Sequence, residues 1–135
     1  FLKDNNFENI YFLHNNCIET EEYLICGTRY WAEEEEQPNE KIFNREIIRI
    51  RLSLYKAREA GYKKFIVMIH YPPINERREA SAFTEIFKEY GVEKVIYGHL
   101  HGPSLATAFN GEHEGIDYII TSCDYLNFDP IKILE

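Results

Sequence analysis

The sequence predicts a mixed α/β domain with a parallel strand-helix-strand centre and antiparallel strands towards its C-terminal end. Three patterns carry this expectation. Apolar residues recur with a helical period over residues 40–60; two short, continuously apolar runs, Phe65–Ile69 and Val92–Tyr97, flank a second helical stripe; and from residue 105 onward short β-branched and aromatic runs alternate with turn residues. With 135 residues, 44% of them hydrophobic and 15% aromatic, the chain has the material for a single domain with a real core.

Taken in order, residues 8–13 (ENIYFL) are rich in strand-forming types and lead into the turn signal His14-Asn15-Asn16. Residues 17–20 and 22–26 are short strand candidates, with Gly27 expected to end the second. A polar loop follows, and its four acids at 33–36 read as a solvated surface run. Phe43, Ile47, Ile50, Leu54 and Ala57 then step by four, three, four and three, one face of a helix, with Asn39 as its N-cap and Gly61 at its exit.

Phe65–Ile69 is too short for a helix and reads as a strand buried on both faces, stopped by Pro72 and Pro73. Ser81 is placed to cap a second helix with Phe83, Ile86, Phe87 and Tyr90 on its apolar face and Gly91 at its end. Val92–Tyr97 repeats the buried-strand pattern, so the two strands should be parallel neighbours in one sheet. Residues 105–109, 116–122 and 131–134 complete the reading as antiparallel strands, with Asn110-Gly111 as a hairpin turn.

The net charge of −8 argues against nonspecific nucleic-acid binding, which needs clustered Lys and Arg. It leaves room for one phosphorylated substrate, because a bound cation can dominate the local field. No apolar run reaches the roughly 20 residues of a membrane-spanning helix, and no signal-peptide pattern opens the chain, so no membrane association and a cytoplasmic location are expected. Cys17, Cys26 and Cys123 fit reduced thiols better than a disulfide framework, and Cys123 is expected to be buried. The chain opens on Phe1 and its one methionine is Met68, so we expect a processed protein or a portion of a longer one.

The chemistry concentrates in three histidines. His70 follows the first apolar strand, and His99 and His101 follow the next, in VIYGHLHG. Ligands of open α/β sheets bind beyond the carboxyl ends of parallel strands, and neighbouring strands lie only about 4.8 Å apart, so these side chains can converge. Neutral imidazole is the commonest protein metal ligand. His99 and His101 are expected to project the same way from an extended segment while Leu100 packs behind. His14 and His113 lack this context and read as ordinary turn or surface residues.

His70 in MIHYPP, followed by Gly98-His99-Leu100-His101, resembles the last two motifs of the calcineurin-like metallophosphoesterases. The resemblance implies a ββ sandwich flanked by helices, of which residues 1–135 would form the C-terminal portion of one domain. It also implies two divalent ions (Mn, Fe or Zn), with His70 and His99 ligating the second and His101 the first, and hydrolysis of a phosphomonoester or phosphodiester. The three earlier family motifs, Asp-x-His, Gly-Asp and Gly-Asn-His, do not occur in this chain. The family's catalytic histidine is therefore not in it, and by the resemblance this portion alone is expected to be inactive.

Arg29 and Trp31, with Tyr30, are candidates to line a substrate pocket, Arg for phosphate and the rings for an organic group. Tyr71 is a further candidate for the substrate, and Asp124 is either a carboxylate behind a ligating histidine or a turn residue. Two other readings stay open at this point: a mononuclear zinc hydrolase with three histidine ligands, and a non-catalytic binding scaffold of the same fold. No GxSxG, Walker A or GxGxxG pattern supports other chemistry.

Overall fold

The computed structural model describes residues 7, 10–28 and 40–134. Arg29, Tyr30, Trp31, the acids at 33–36 and Asn39 lie outside the described residues. The elements run β1 (Asn16–Glu19), β2 (Leu24–Thr28), α1 (Glu40–Glu59), β3 (Phe65–Ile69), α2 (Ala82–Tyr90), β4 (Val92–Tyr97), a 3-10 helix (Gly102–Thr107), β5 (Gly111–His113) and β6 (Ile116–Ile120). They build one six-stranded mixed sheet in the order β1-β2-β3-β4-β6-β5. Strands β2, β3, β4 and β6 are mutually parallel, and β1 and β5 pair antiparallel at the two sides.

Period-two burial sorts the strand residues onto two faces. Leu24, Cys26, Phe65, Val67, Ile69, Val95, Tyr97, Tyr118 and Ile120 join one core with Ile50, Leu54 and Ala57 of α1 and Phe83, Ile86, Phe87 and Tyr90 of α2. Both helices therefore cover the same face, and the Phe43 and Phe83 rings meet edge to face at 5.7 Å between them. The opposite face carries the cross-strand row Gly27, Met68, Ile96 and Ile119, in which Met68 is 39% exposed. The expectation that β3 is buried on both faces holds for Ile66 but not for Met68.

Helix α2 starts and stops as its sequence requires. Ser81 Oγ accepts from Thr84 N–H, Thr84 Oγ1 accepts from Ser81 N–H, and Gly91 closes the helix at φ 69°. Helix α1 buries one unexpected residue, Glu46, which is 4% exposed. It accepts from the Thr28 hydroxyl at the end of β2 and from Arg49. Burial pushes the Glu46 carboxyl up, but these partners together with Arg45 bring it below the ordinary glutamate value.

Several local expectations are corrected. Strand β2 continues through Gly27 to Thr28, because the missing Cβ is what the crowding there demands: a Cβ would sit 2.8 Å from the Met68 carbonyl oxygen and 3.0 Å from Leu13 Cβ. Residues 10–13 form no strand. The segment read as a strand at 105–109 is instead mostly the 3-10 helix, opened by Pro103 near its start. The hairpin turn is Glu114-Gly115, at φ 52° and 81°, and not Asn110-Gly111. Positive φ at both central residues is the twist-matched hairpin geometry. Strand β6 is antiparallel to β5 but parallel to β4, so the C-terminal part is only partly antiparallel, and residues 131–134 form no strand.

The cysteine expectation also changes. Register places Cys17 directly opposite Cys26, with Cα atoms 4.1 Å apart, and the two are joined as a disulfide. Cys123 is the free thiol and is exposed, because it follows β6 in a turn beyond the sheet and not within it. Among the described residues no helix is long and apolar enough to cross a membrane.

Candidate metal centre

Four parallel strands end at one side of the sheet, and the candidate residues lie in the segments that leave those ends. His70 follows β3, His99 and His101 follow β4, and Cys123 and Asp124 follow β6. All three histidines are exposed. The chain leaving β4 is tied to that leaving β3 by the Gly98 N–H, which donates to the His70 carbonyl at 3.1 Å.

The histidines do not project from one extended segment. His99 has φ 70°, and the Leu100 N–H donates to the Gly98 carbonyl at 2.9 Å across it, so His99 occupies the centre of a γ-turn of the positive-φ kind. Such turns are rare and strained in L-residues. The turn sends the two side chains to different partners. His99 Nδ1 comes within 3.1 Å of His70 Nε2, whereas His101 Nδ1 lies 2.8 Å from Asp124 Oδ1.

Each arrangement is supported from behind. Tyr71, 8% exposed, lays its ring against His99 with centroids 4.1 Å apart and stands edge-on to His70 at 4.9 Å. Tyr71, the candidate for the substrate, thus lies against the histidine pair. Ser104 holds the His101 backbone on both sides, its Oγ accepting from the His101 N–H at 2.9 Å and donating to the His101 carbonyl at 2.8 Å. Asp124 Oδ2 accepts from the Gly102 N–H at 2.8 Å. That bond is the main reason the Asp124 carboxyl sits below the ordinary aspartate value; partial desolvation opposes it and the His101 ring reinforces it.

The donor set fits divalent cations. Two nitrogens bound to one cation at about 2.0–2.1 Å, with an angle between octahedral and tetrahedral, stand roughly 2.9–3.4 Å apart, and the His70–His99 separation falls in that interval. A carboxylate can only accept, so Asp124 fixes the proton of His101 on Nδ1 and leaves Nε2 as a lone-pair donor. Beside Gly98, the Ser122 hydroxyl is 3% exposed and has no hydrogen-bond partner among the described residues. Cys123, which sequence reasoning set aside, belongs to the group: ligand atoms of His101, Cys123 and Asp124 all lie within 4.8 Å of one another. The signal that could have found it was its place directly before Asp124 at a parallel strand end.

The other two histidines lie apart from these pairs. His14 is exposed at a bend before β1, and His113 in β5 packs edge-on to Phe109 at 6.1 Å. Comparison with protein-family models, curated proteins and solved structures finds no match to this chain.

Proposed function

We propose that this chain supplies histidine ligands to the dinuclear centre of a metal-dependent phosphoesterase, acting on a phosphomonoester or phosphodiester. The observation that carries the reading is the division of the histidines into two arrangements, His70 with His99 and His101 with Asp124, beyond adjacent parallel strand ends. His70 and His99 would hold one cation and His101 the other, with Mn, Fe or Zn compatible with imidazole ligands. Bound divalent metal supplies Lewis-acid polarisation of phosphoryl oxygens and a hydroxide nucleophile near neutral pH.

The remaining residues orient the ligands. Asp124 holds the His101 tautomer, Ser104 fixes its backbone, and Tyr71 backs the His99 ring. The apolar row Gly27, Met68, Ile96 and Ile119, on the sheet face away from both helices and exposed at Met68, suits packing against a second sheet as the sandwich reading requires. A bridging carboxylate and a histidine to assist the leaving group would come from chain outside this sequence. The division into two arrangements favours two cations over a single three-histidine zinc site.

The test is hydrolysis of bis(p-nitrophenyl) phosphate and p-nitrophenyl phosphate by the whole gene product carrying this sequence, with added Mn2+. Activity on at least one ester is expected. His99→Ala should lower kcat/KM at least about a hundredfold, and Asp124→Asn should weaken metal binding by about 10- to 100-fold. No hydrolysis with Mn2+, Fe2+ or Zn2+, or indifference to His99→Ala, overturns the reading.

A further inference from the structure

We infer that Cys123 is a ligand of the cation held at His101, which makes that position a site for a thiophilic divalent ion such as Zn2+ in preference to Mg2+. The inference rests on the dinuclear reading and deepens it by naming the metal class.

Two segments bring the donors together. The turn after β6 is held by Phe128 N–H to the Cys123 carbonyl at 2.8 Å and Leu126 N–H to the Ser122 carbonyl at 3.1 Å, so Cys123 and Asp124 are presented from a fixed backbone. The segment after β4 is docked on it by the two Asp124 bonds, to the His101 ring and to the Gly102 N–H. Cys123 is exposed and unbridged, and its sulfur lies within 4.8 Å of the His101 and Asp124 ligand atoms. One rotation about its Cα–Cβ bond swings the sulfur without moving the backbone. The preceding residue, Ser122, has its hydroxyl buried beside Gly98 with no hydrogen-bond partner among the described residues, a polar atom that a packed apolar site would not leave.

The chemistry follows from the donor types. Thiolate selects Zn2+, Co2+ or Fe2+ over hard oxygen-seeking cations, and mixed sulfur and imidazole sets suit zinc. On binding, the Cys123 S–H bond breaks and its proton passes to solvent, while a sulfur lone pair forms the metal–sulfur bond. No electron is transferred. Asp124 keeps its place behind His101 and orients its ring.

The experiment titrates Co2+ into the whole gene product carrying this sequence, without reductant, so that Cys17 and Cys26 stay bridged and Cys123 is free. The expected result is near-ultraviolet thiolate-to-cobalt charge-transfer absorption that vanishes in Cys123→Ser, with Zn2+ affinity lowered about tenfold or more, since loss of a direct ligand costs no less than loss of an outer partner. Calorimetry of Zn2+ binding to Cys123→Ser and His101→Ala separates the outcomes. Zn2+ binding that needs His101 but shows no thiolate band and no loss in Cys123→Ser overturns the role of Cys123 and leaves the dinuclear reading standing. Absence of any Co2+ or Zn2+ binding by the unaltered gene product counts against both.

Discussion

The Tyr97 hydroxyl makes both of its hydrogen bonds to one residue, donating to the Phe109 carbonyl at 2.5 Å and accepting from the Phe109 N–H at 3.0 Å. Tyr97 ends β4 and is 1% exposed, so the phenol closes a loop over residues 98–108, the stretch that carries His99 and His101. Burial pushes its pKa up to about 12, against a smaller opposing effect of the Phe109 bond, and the group stays a neutral donor throughout the physiological range.

Tyr97→Phe keeps the ring and leaves two backbone groups of Phe109 without partners. An unmet buried polar group costs about 1–3 kcal/mol, so with two of them the variant should lose about 2 kcal/mol or more. Urea unfolding followed by circular dichroism measures it. A midpoint equal to that of the unaltered chain would show that the loop finds other partners.

The γ-turn at His99 predicts an inverted order of two small substitutions. In ordinary extended or helical backbone, alanine is more stable than glycine by about 0.5–1 kcal/mol. At φ 70° the order should reverse, with His99→Gly more stable than His99→Ala by about 1 kcal/mol, because both lose the same imidazole and only glycine escapes the steric strain. Paired denaturation curves read the difference directly, and the usual order would mean that the turn is not what holds His99.

The β1–β2 bridge is open to counting. Thiol titration of the native chain without reductant should find one reactive sulfhydryl, Cys123, and three after reduction and unfolding. For a loop of this size, chain entropy assigns the bridge about 2–3 kcal/mol, so reductant should lower the melting temperature of the unaltered chain and not that of Cys17→Ser. Three reactive thiols in the native chain would contradict the bridge.

Legibility in the sequence followed how local the determining physics is. Helices α1 and α2 and strands β3 and β4 could be read because period, caps and exits lie within each segment: Ser81, Gly91, and the apolar runs from Phe65 and Val92. The histidine positions followed from those strands. The segment at 105–109 misled because its residue types suit strands, while Pro103 and the Ser104 bonds to His101 favour a tight helix. Asn110-Gly111 has the composition of a hairpin turn, yet the Asn110 side chain instead accepts from the Ile120 N–H at 3.1 Å. Two further features depended on register or on backbone φ, which composition does not reveal: Cys17 opposite Cys26, and the turn that parts His99 from His101.

The sheet's two outer strands are short: β1 has four residues and β5 has three. Unpaired N–H and C=O groups along an outer strand are templates on which another chain can add a strand, and the hazard grows with their length. Among the described residues this fold offers only those two brief rims, while its long parallel strands lie inside. Self-association into fibrils by strand addition therefore has little backbone to start from.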